Sequence, residues 1–386
     1  MSNYSVCKRC VMDSTAKDIS FDENGICNYC IEFLNRSEHI LNSNKSQKTK
    51  DLDSLIERIK KRGQGRRYDC IVGVSGGVDS SWVLVKALES GLRPLAVHMD
   101  NGWNSELAQN NIANLVRGLN VDLHTHVINW IEYRNLMQAF FDADVIDVEL
   151  LYDNAMLAVN YQQSKKYGVK YILGGMNQAT EGMRMPLGWN WMKYDKKNIK
   201  DIAKFHGDVK IKSFPAISTL DYIHYELIRG IKWIPFLDNY DFIKVEALTI
   251  LQNEHGYKPY PYKHYESIFT RFYQGYILPN KFGVDKRRLH LSTLVISGQM
   301  KREEALEYLE QPPYPSKDAL EHDREYFVKK MKWSLEELDA YILRPPQRHD
   351  SYATEKPRWE YFFHENEKRY LYRQIKKLYK VLVSIS

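Results

Sequence analysis

The sequence predicts an α/β protein built on a doubly wound parallel sheet, with a small metal-binding module before it and a helical region after it. Short apolar runs alternate with helical patterns, which indicates parallel strands joined by helices. A glycine turn separates the first strand of this series from the first helix. The predicted elements are strand 68–74, helix 78–90, strand 93–99, helix 104–118, strand 121–128, helix 130–142, helix 152–167 and strand 169–174.

Two pairs of cysteines predict a metal site within residues 1–35. Cys7 and Cys10 form the first Cys-x-x-Cys pair, and Cys27 and Cys30 form the second. This spacing is typical of a four-thiolate zinc site, in which each short loop points two sulfurs at one ion. Two disulfides are the alternative in an exported protein, but the N-terminus lacks the pattern of a signal peptide. We therefore predict structural Zn²⁺ and a cytoplasmic protein.

The remainder of the chain divides into three predicted regions. Residues 36–65 are a linker and a helix, because the first half is polar and residues 51–61 place apolar side chains on one face. Residues 66–300 are predicted to form the α/β domain, with irregular insertions rich in aromatic residues. Residues 301–386 form a helical region, and its last, basic helix near 369–382 is expected to dock on the protein's own body or on a second subunit.

The glycine turn after the first strand predicts a phosphate site. Glycines permit backbone angles that bring several N–H groups onto one concave surface, and the following helix adds unpaired donors and a positive dipole end. The turn lacks the lysine of a Walker loop. An ordinary turn between a strand and a helix would explain two adjacent glycines. The six-residue pattern Ser-Gly-Gly-Val-Asp-Ser at this place favours the phosphate site instead. Its residues are Ser75, Gly76, Gly77, Val78, Asp79, Ser80 and Ser81.

At residues 75–80 the chain resembles the PP-loop ATP pyrophosphatases, which have a HUP-like fold. Their Ser-Gly-Gly-x-Asp-Ser signature holds the pyrophosphate that leaves when ATP adenylates a carbonyl oxygen. The resemblance implies ATP and Mg²⁺ as cofactors. It also implies nucleotide-site residues after two other strands, where the alternative is an ordinary loop, because Asp, Asn and Gly are common loop residues. Glu181 is the preferred magnesium ligand, since this hard cation favours oxygen. The implied nucleotide-site residues are Asp100 and Asn101 after the second strand, and Gly175, Asn177 and Glu181 after a later one.

Three consecutive cations, Lys286, Arg287 and Arg288, begin a predicted helix. Their charge conflicts with the positive end of the helix dipole, and a facing anion would remove the conflict. We predict that one or more of them contacts ATP phosphates or the diphosphate of a sugar nucleotide; a solvated basic turn is the alternative.

Aromatic side chains are concentrated in three segments beyond the predicted strands, at residues 184–191, 233–236 and 257–263. Aromatic, amide and basic groups suit a phosphorylated sugar, so these segments are predicted to form the acceptor pocket. Packing of loops by aromatic rings is the equal alternative.

Residues 7–13, 21–30, 75–80 and 273–292 together resemble the N-acetyl sugar amidotransferase family of bacterial surface-polysaccharide (lipopolysaccharide O-antigen) biosynthesis. The resemblance implies that the acetamido group of a nucleotide-activated N-acetylated sugar becomes an acetamidino group. ATP would yield AMP and pyrophosphate through an adenylated imidate, and a separate glutaminase with a cyclase-like subunit would supply ammonia. The residues assigned to catalysis are Ser75, Asp79, Ser80, Lys286 and Arg287, with Arg288 assigned to nucleotide binding.

The main alternative is a PP-loop enzyme that thiolates tRNA, because some of these also carry zinc-binding cysteines. A persulfide route needs a reactive cysteine, and Cys70, the only one outside the two pairs, lies in the predicted first strand. The net charge of +6, from 55 basic and 49 acidic residues, is small for a tRNA surface. A non-catalytic nucleotide-binding or zinc-scaffold protein is disfavoured by the intact turn. We expect no nucleic-acid partner and no stable membrane insertion, and leave self-association open.

Overall fold

A five-stranded, wholly parallel sheet forms the centre of the protein in the computed structural model, which describes residues 4–42, 44–260 and 265–363. The strand order is β3-β2-β1-β4-β5, so the chain reverses its direction of travel across the sheet between β1 and β4. The fold prediction is confirmed by this doubly wound order. The strands are β1 Cys70–Gly73, β2 Pro94–Asp100, β3 Leu123–Val127, β4 Tyr171–Gly174 and β5 Lys232–Pro235.

Helices cover both faces of the sheet and form most of the remaining structure. The α-helices are α1 Asn28–Leu41, α2 Lys45–Gly63, α3 Val78–Glu89, α4 Glu106–Gly118, α5 Trp130–Asp142, α6 Leu150–Tyr167, α7 Gln178–Glu181, α8 Lys196–His206, α9 Thr219–Ile223, α10 Lys244–His255, α11 Ile268–Phe272, α12 Arg287–Ile296, α13 Arg302–Glu310, α14 Lys317–Met331, α15 Leu335–Leu343 and α16 Lys356–Phe363. Two π-helices, His224–Ile228 and Tyr273–Phe282, continue α9 and α11, and short 3₁₀ turns span Phe236–Asn239 and His349–Ser351.

The two faces of the sheet bury separate apolar clusters, as the period-2 alternation of a strand requires. Ile71 of β1 points into the larger cluster, which also holds the four cysteines of the N-terminal module. Cys70 and Val72 point into the cluster on the opposite face, together with Leu251 of α10. The cysteine module therefore packs into the same core as the sheet.

The predicted linker is wrong: the chain from residue 35 to residue 50 is largely helical. Helix α1 runs on to Leu41 and α2 begins at Lys45, where the Asn44 side chain accepts a hydrogen bond from the N–H of Ser46. Tertiary contacts outweigh the polar composition, since fully buried Ser37 donates a 2.7 Å hydrogen bond to the side chain of Gln178. The division into four regions stays a prediction.

Strand β5 is a second departure, because Lys232–Pro235 lies in a segment predicted to be irregular. Only four residues pair with β4, from Tyr171 opposite Lys232 to Gly174 opposite Pro235. A strand of four residues at the edge of a sheet is too short to show the alternation of apolar and polar side chains from which strands are predicted. The predicted basic helix near 369–382 lies outside the described residues. Among those that are described, no helix is both long and apolar enough to cross a membrane.

Acidification is expected to destabilise the fold through His349. Its ring is 2% exposed and accepts a 3.1 Å hydrogen bond from the N–H of Asp147, and burial lowers its pKa from 6.5 to about 4. Below pH 6.5 the unfolded chain binds a proton that the folded chain does not, so stability falls by up to about 3 kcal/mol as the pH drops to 4. Urea unfolding of the wild type and of His349→Gln across this range tests it. Parallel pH profiles would contradict the assignment.

Candidate active site

The turn between β1 and α3 is folded by its own hydroxyl groups. The N–H of Ser75 donates to the Ser80 hydroxyl at 3.2 Å, and the two serine hydroxyls lie 3.1 Å apart. The N–H of Gly77 donates to the Ser75 hydroxyl at 3.3 Å, and the Ser80 hydroxyl donates to the Gly77 carbonyl at 3.2 Å. Helix α3 begins immediately afterwards at Val78 without a side-chain cap. The turn and the helix N-terminus thus form a concave set of backbone donors that suits an anion.

Two glycines allow close approach of backbone around this turn. Gly76 has a φ of +85°, and a Cβ there would lie 2.9 Å from the carbonyl oxygen of Ala108 in α4. A Cβ on Gly175, which follows β4, would lie 3.0 Å from the backbone nitrogen of Ser80. The turns after β1 and β4 are therefore in contact where the sheet order reverses, the place where doubly wound sheets bind ligands.

Side chains from distant segments hold the turn in place. The hydroxyls of Tyr257 and Tyr260 donate to the Gly76 carbonyl at 3.0 and 2.9 Å, and burial raises the pKa of both tyrosines, so they remain donors. His98 Nδ1 lies 2.9 Å from the Val74 carbonyl. Burial lowers the pKa of His98, which favours a neutral ring with its proton on Nδ1. These contacts fix the outline of the turn before any ligand binds.

A cavity of about 860 Å³ opens beside the turn, between the ends of β1 and β4 and the helices α6 and α12. Its wall is largely apolar and aromatic, with methionine, tyrosine and tryptophan side chains. A cavity of this size, with an apolar and aromatic lining and a few polar groups, suits a small molecule that carries both a ring system and polar groups. The polar groups on the wall include Ser75, Asp153, Glu181, Lys193, Gln274 and Lys286.

Ion pairs organise the charges at one end of the cavity. Lys286 lies 2.8 Å from Glu149, whose carboxylate also accepts from the side-chain amide of Gln274. Lys193 lies 2.6 Å from Asp147 and 2.8 Å from Asp153. Burial raises the pKa of Asp153, and the neighbouring Asp147 and Glu149 carboxylates add to the rise, whereas Lys193 opposes it.

The structure brings part of the predicted nucleotide site together. Ser75, Gly175, Glu181 and Lys286 all line the cavity. Asp79 lies at the start of α3, with Oδ1 3.4 Å from Lys244 Nζ. Gly77 and Val78 complete the turn, and the buried Ser81 forms part of the first turn of α3.

Three predicted nucleotide-site residues instead make local contacts. The Asp100 carboxylate accepts from the N–H of Gly102 at 2.8 Å, and the buried Asn101 side chain accepts from the N–H of Trp103 at 3.1 Å. Asn177 caps α7 by accepting from the N–H of Thr180 at 2.9 Å. None of the three lines the 860 Å³ cavity. Their contribution to a ligand site stays a prediction.

The structure does not bring Arg287 and Arg288 to the cavity. The Arg287 guanidinium pairs with Asp285 at 2.7 Å, and Arg288 pairs with the fully buried Asp13 of the cysteine module at 2.9 Å. The conflict with the helix dipole is thus relieved by carboxylates of the protein itself, with Lys286 on Glu149. Of the three cations, Lys286 alone lies on the cavity wall.

The four predicted metal ligands form one buried cluster. The Cys7 and Cys30 sulfurs lie 3.9 Å apart, and the Cys10 and Cys27 sulfurs lie 3.7 Å apart. A tetrahedral zinc with Zn–S bonds of about 2.3 Å requires sulfurs about 3.8 Å apart. Hydrogen bonds from Cys10, Cys27 and Cys30 lower the pKa of Cys7. The residues present therefore fit a closed, four-thiolate zinc site.

The cysteine module is attached directly to α12 and α13. The Arg302 guanidinium donates to the carbonyls of Cys7 and Cys10 at 2.8 and 3.0 Å. The N–H of Val11 donates to the Ser292 hydroxyl at 3.1 Å. Because α12 also presents Leu289, His290 and Thr293 to the cavity, one helix joins the metal site to the candidate active site.

The aromatic segments divide between two cavities and the turn. Trp233 and Met185 line the 860 Å³ cavity, whereas Trp189 and Trp191 line a second cavity of about 1000 Å³ that shares Met185 and Lys193 with the first. Tyr257 and Tyr260 support the turn, as described above.

Sequence reasoning missed several polar residues around the turn and the cavity. Asp153 and Lys193 lie in stretches interpreted as a helix and a loop, and nothing local marks them. Glu266 approaches the turn, since a Cβ on Gly77 would lie 3.6 Å from its carboxylate. Its position a few residues before the stretch at 273–292, which carries the family resemblance, was the available signal.

The fold and site define this chain as a doubly wound α/β protein with a turn of backbone donors that suits an anion at the reversal point of its sheet. Residues 266–365, about a quarter of the chain, match the family described as "LPS biosynthesis protein WbpG-like, C-terminal domain". This part supplies the Gln274 and Lys286 wall of the cavity. The resemblance to a protein of lipopolysaccharide biosynthesis is thereby confirmed for these residues.

Solved structures are similar to this chain at low identity. NMN synthetase from Francisella tularensis is 14% identical, with 57% of this chain and 99% of that chain covered and a TM-score of 0.30. NH3-dependent NAD synthetase from Campylobacter jejuni subsp. jejuni is 17% identical, with 57% and 100% covered and a TM-score of 0.30. A 4-thiouridine synthetase in an RNA complex with bound ATP is 16% identical, with 42% and 39% covered and a TM-score of 0.24. No curated protein matches the chain.

Proposed function

We propose that this protein is an ATP-dependent amidotransferase that converts the acetamido group of a nucleotide-activated N-acetylated sugar into an acetamidino group. The observation that carries the proposal is the contact between the anion-binding turn and a cavity walled by the WbpG-like residues. An amide oxygen is a poor leaving group until it is phosphorylated. A site that places an acetamido oxygen beside the α-phosphate of ATP overcomes this by adenylation.

The turn would bind the pyrophosphate that leaves during adenylation. Backbone N–H groups of residues 75–80 and the N-terminus of α3 supply preorganised donors toward the developing charge. Glu181, on the cavity wall beside the turn after β4, is the candidate oxygen ligand for Mg²⁺, which would neutralise negative charge on the phosphates. Lys286 adds a cation on the cavity wall. Positioning and electrostatic stabilisation would then carry the phosphoryl chemistry.

Ammonia would displace AMP from the imidate carbon and would come from a separate glutaminase. Of the five cysteines, four form the metal cluster. The fifth, Cys70, is fully buried in β1, and burial raises its pKa. An inert thiol cannot act as an amidase nucleophile, nor can it carry a persulfide to tRNA. The metal site has four protein ligands and no open position, so zinc would be structural there.

Replacing Asp79 with alanine should abolish AMP formation while the fold and the metal content remain. Asp79 lies in the first turn of α3, next to the proposed pyrophosphate site. We expect a loss of at least about 100-fold in AMP production. The measurement is AMP and pyrophosphate release with ATP, Mg²⁺, ammonium and a panel of N-acetylated nucleotide sugars. Glu89→Ala, at the exposed end of the same helix, is the matched control.

Two outcomes would contradict the proposed function. Turnover that yields ADP instead of AMP would exclude an adenylated intermediate. Release of pyrophosphate with unmodified tRNA, but with no sugar of the panel, would favour the tRNA-modifying alternative.

A further inference from the structure

Lys193, which lines the cavity, forms ion pairs with two carboxylates, and only one of these carboxylates is exposed to the cavity. Lys193 Nζ lies 2.6 Å from Asp147 and 2.8 Å from Asp153. The Asp147 side chain is 1% exposed, whereas that of Asp153 is 35% exposed and lines the cavity. Asp153 therefore presents a carboxylate edge to whatever occupies the cavity.

The proposed reaction creates a positive charge where none existed. A neutral acetamido group becomes an acetamidinium, and the incoming ammonia must lose a proton as it bonds to carbon. A carboxylate beside the reacting carbon serves both needs, since it accepts the proton and pairs with the cationic product. We propose that Asp153 is this carboxylate, an inference that rests on the proposed function.

In this step ammonia replaces AMP on the imidate carbon, and Asp153 transfers one proton. The ammonia nitrogen forms a bond to the imidate carbon, and the Asp153 carboxylate takes one proton from that nitrogen. The proton is then returned to the sugar-side nitrogen of the tetrahedral intermediate. The carbon–oxygen bond breaks, its electron pair leaves with AMP, and the acetamidinium that remains faces the Asp153 carboxylate.

Other carboxylates of the cavity region are less suited to this role. Glu149 is not among the residues that line the cavity and is bonded to both Lys286 and Gln274. Glu226 has a side chain that is 10% exposed, accepts from the Tyr161 hydroxyl and pairs with Lys232. Glu181 follows the turn after β4 on the phosphate side. Asp153 lies on α6 and lines the cavity with a side chain that is 35% exposed.

The charges around Asp153 favour proton transfer. Lys193 faces it from the segment before α8, while Asp147 and Glu149 face it from just before α6. Withdrawal of the Asp153 carboxylate from bulk water into the cavity, supported by these two acids and opposed by Lys193, raises its pKa. A carboxylate with a raised pKa is a better base for an ammonium-like proton than a fully solvated one.

Asp153→Asn separates the two halves of the reaction. The asparagine keeps the size of the side chain but cannot accept the proton. We expect exchange of labelled pyrophosphate into ATP, with the acetamido sugar present, to stay within about threefold of wild type. Amidine formation at saturating ammonium should fall by about 100-fold or more. Asp153→Glu should recover part of that rate.

The matched control is Asp69→Asn, which removes a carboxylate paired with Arg93 at 2.7 Å at the opposite end of β1. It should leave the ratio of the two rates unchanged even if stability falls. Equal losses of exchange and of amidine formation in Asp153→Asn, or wild-type amidine formation, would overturn the assignment. Wild-type protein without pyrophosphate exchange would overturn the proposed function itself, and this inference with it.

Discussion

Gly76→Ala is expected to lower pyrophosphate formation by about 100-fold or more, because small displacements of a positioned reacting group cost about that much. A Cβ at residue 76 would lie 2.9 Å from the Ala108 carbonyl oxygen and 3.1 Å from the Ala108 Cα, both of them backbone atoms. The turn must move, and its carbonyl must leave the hydroxyls of Tyr257 and Tyr260. Pyrophosphate release measures the effect directly.

Gly65→Ala is the control for backbone strain alone. Gly65 also has a positive φ, +73°, but a Cβ there meets nothing within 4 Å. Both variants therefore carry the cost of a left-handed residue, about 1 kcal/mol of stability. Only Gly76→Ala should lose activity. Similar activity losses in the two variants would show that the shape of the turn is not what the reaction needs.

The central part of the fold could be predicted because its signals are local. The first strand, the glycine turn and α3 lie within about 20 consecutive residues, and helix boundaries there agree within a residue. Strand β5 and α1 could not be predicted in the same way. Each depends on partners far along the chain, such as the pairing of β5 with β4 and the contact of Ser37 with Gln178.

The three cations at residues 286–288 show the same limit within the candidate site. Successive residues of a helix point about 100° apart, so neighbouring cations face different surroundings. Lys286 points to the cavity, Arg287 to its own turn, and Arg288 to the cysteine module. The sequence predicted facing phosphates there; the structure pairs each of the three cations with a carboxylate of the protein, and contact with a phosphate stays a prediction. Which carboxylate pairs with each cation is determined by the tertiary structure and not by the local sequence.

The pair formed by Asp153 and Lys193 was hidden for a related reason. The two residues lie on either side of β4 and α7 in the sequence and meet only when α6 and the aromatic segment pack around the cavity. Sequence motifs identify residues that are close to one another along the chain. The glycine turn after β1 is such a motif, whereas the cavity wall around Asp153 is assembled from single residues of several elements.

Loss of the metal is expected to have the largest effect on stability and to reach the cavity through α12. Cys27→Ser removes one of four thiolates, and the free energy of unfolding should fall by about 3 kcal/mol or more. The metal content, measured by a chromophoric chelator, should drop with it. Cys70→Ser is the matched control, since Cys70 is a buried cysteine outside the cluster and its variant should keep the metal.

The path from the metal site to the cavity can be tested separately with Arg302→Ala. This variant keeps all four thiols but loses the guanidinium that holds the Cys7 and Cys10 carbonyls. We expect the metal to be retained, while hydrogen exchange in α12 rises toward the level seen in Cys27→Ser. Because Leu289 and Thr293 of that helix line the cavity, binding of the sugar nucleotide should weaken in parallel. If α12 stays protected in both variants, the module stabilises only itself, and the cavity does not depend on it.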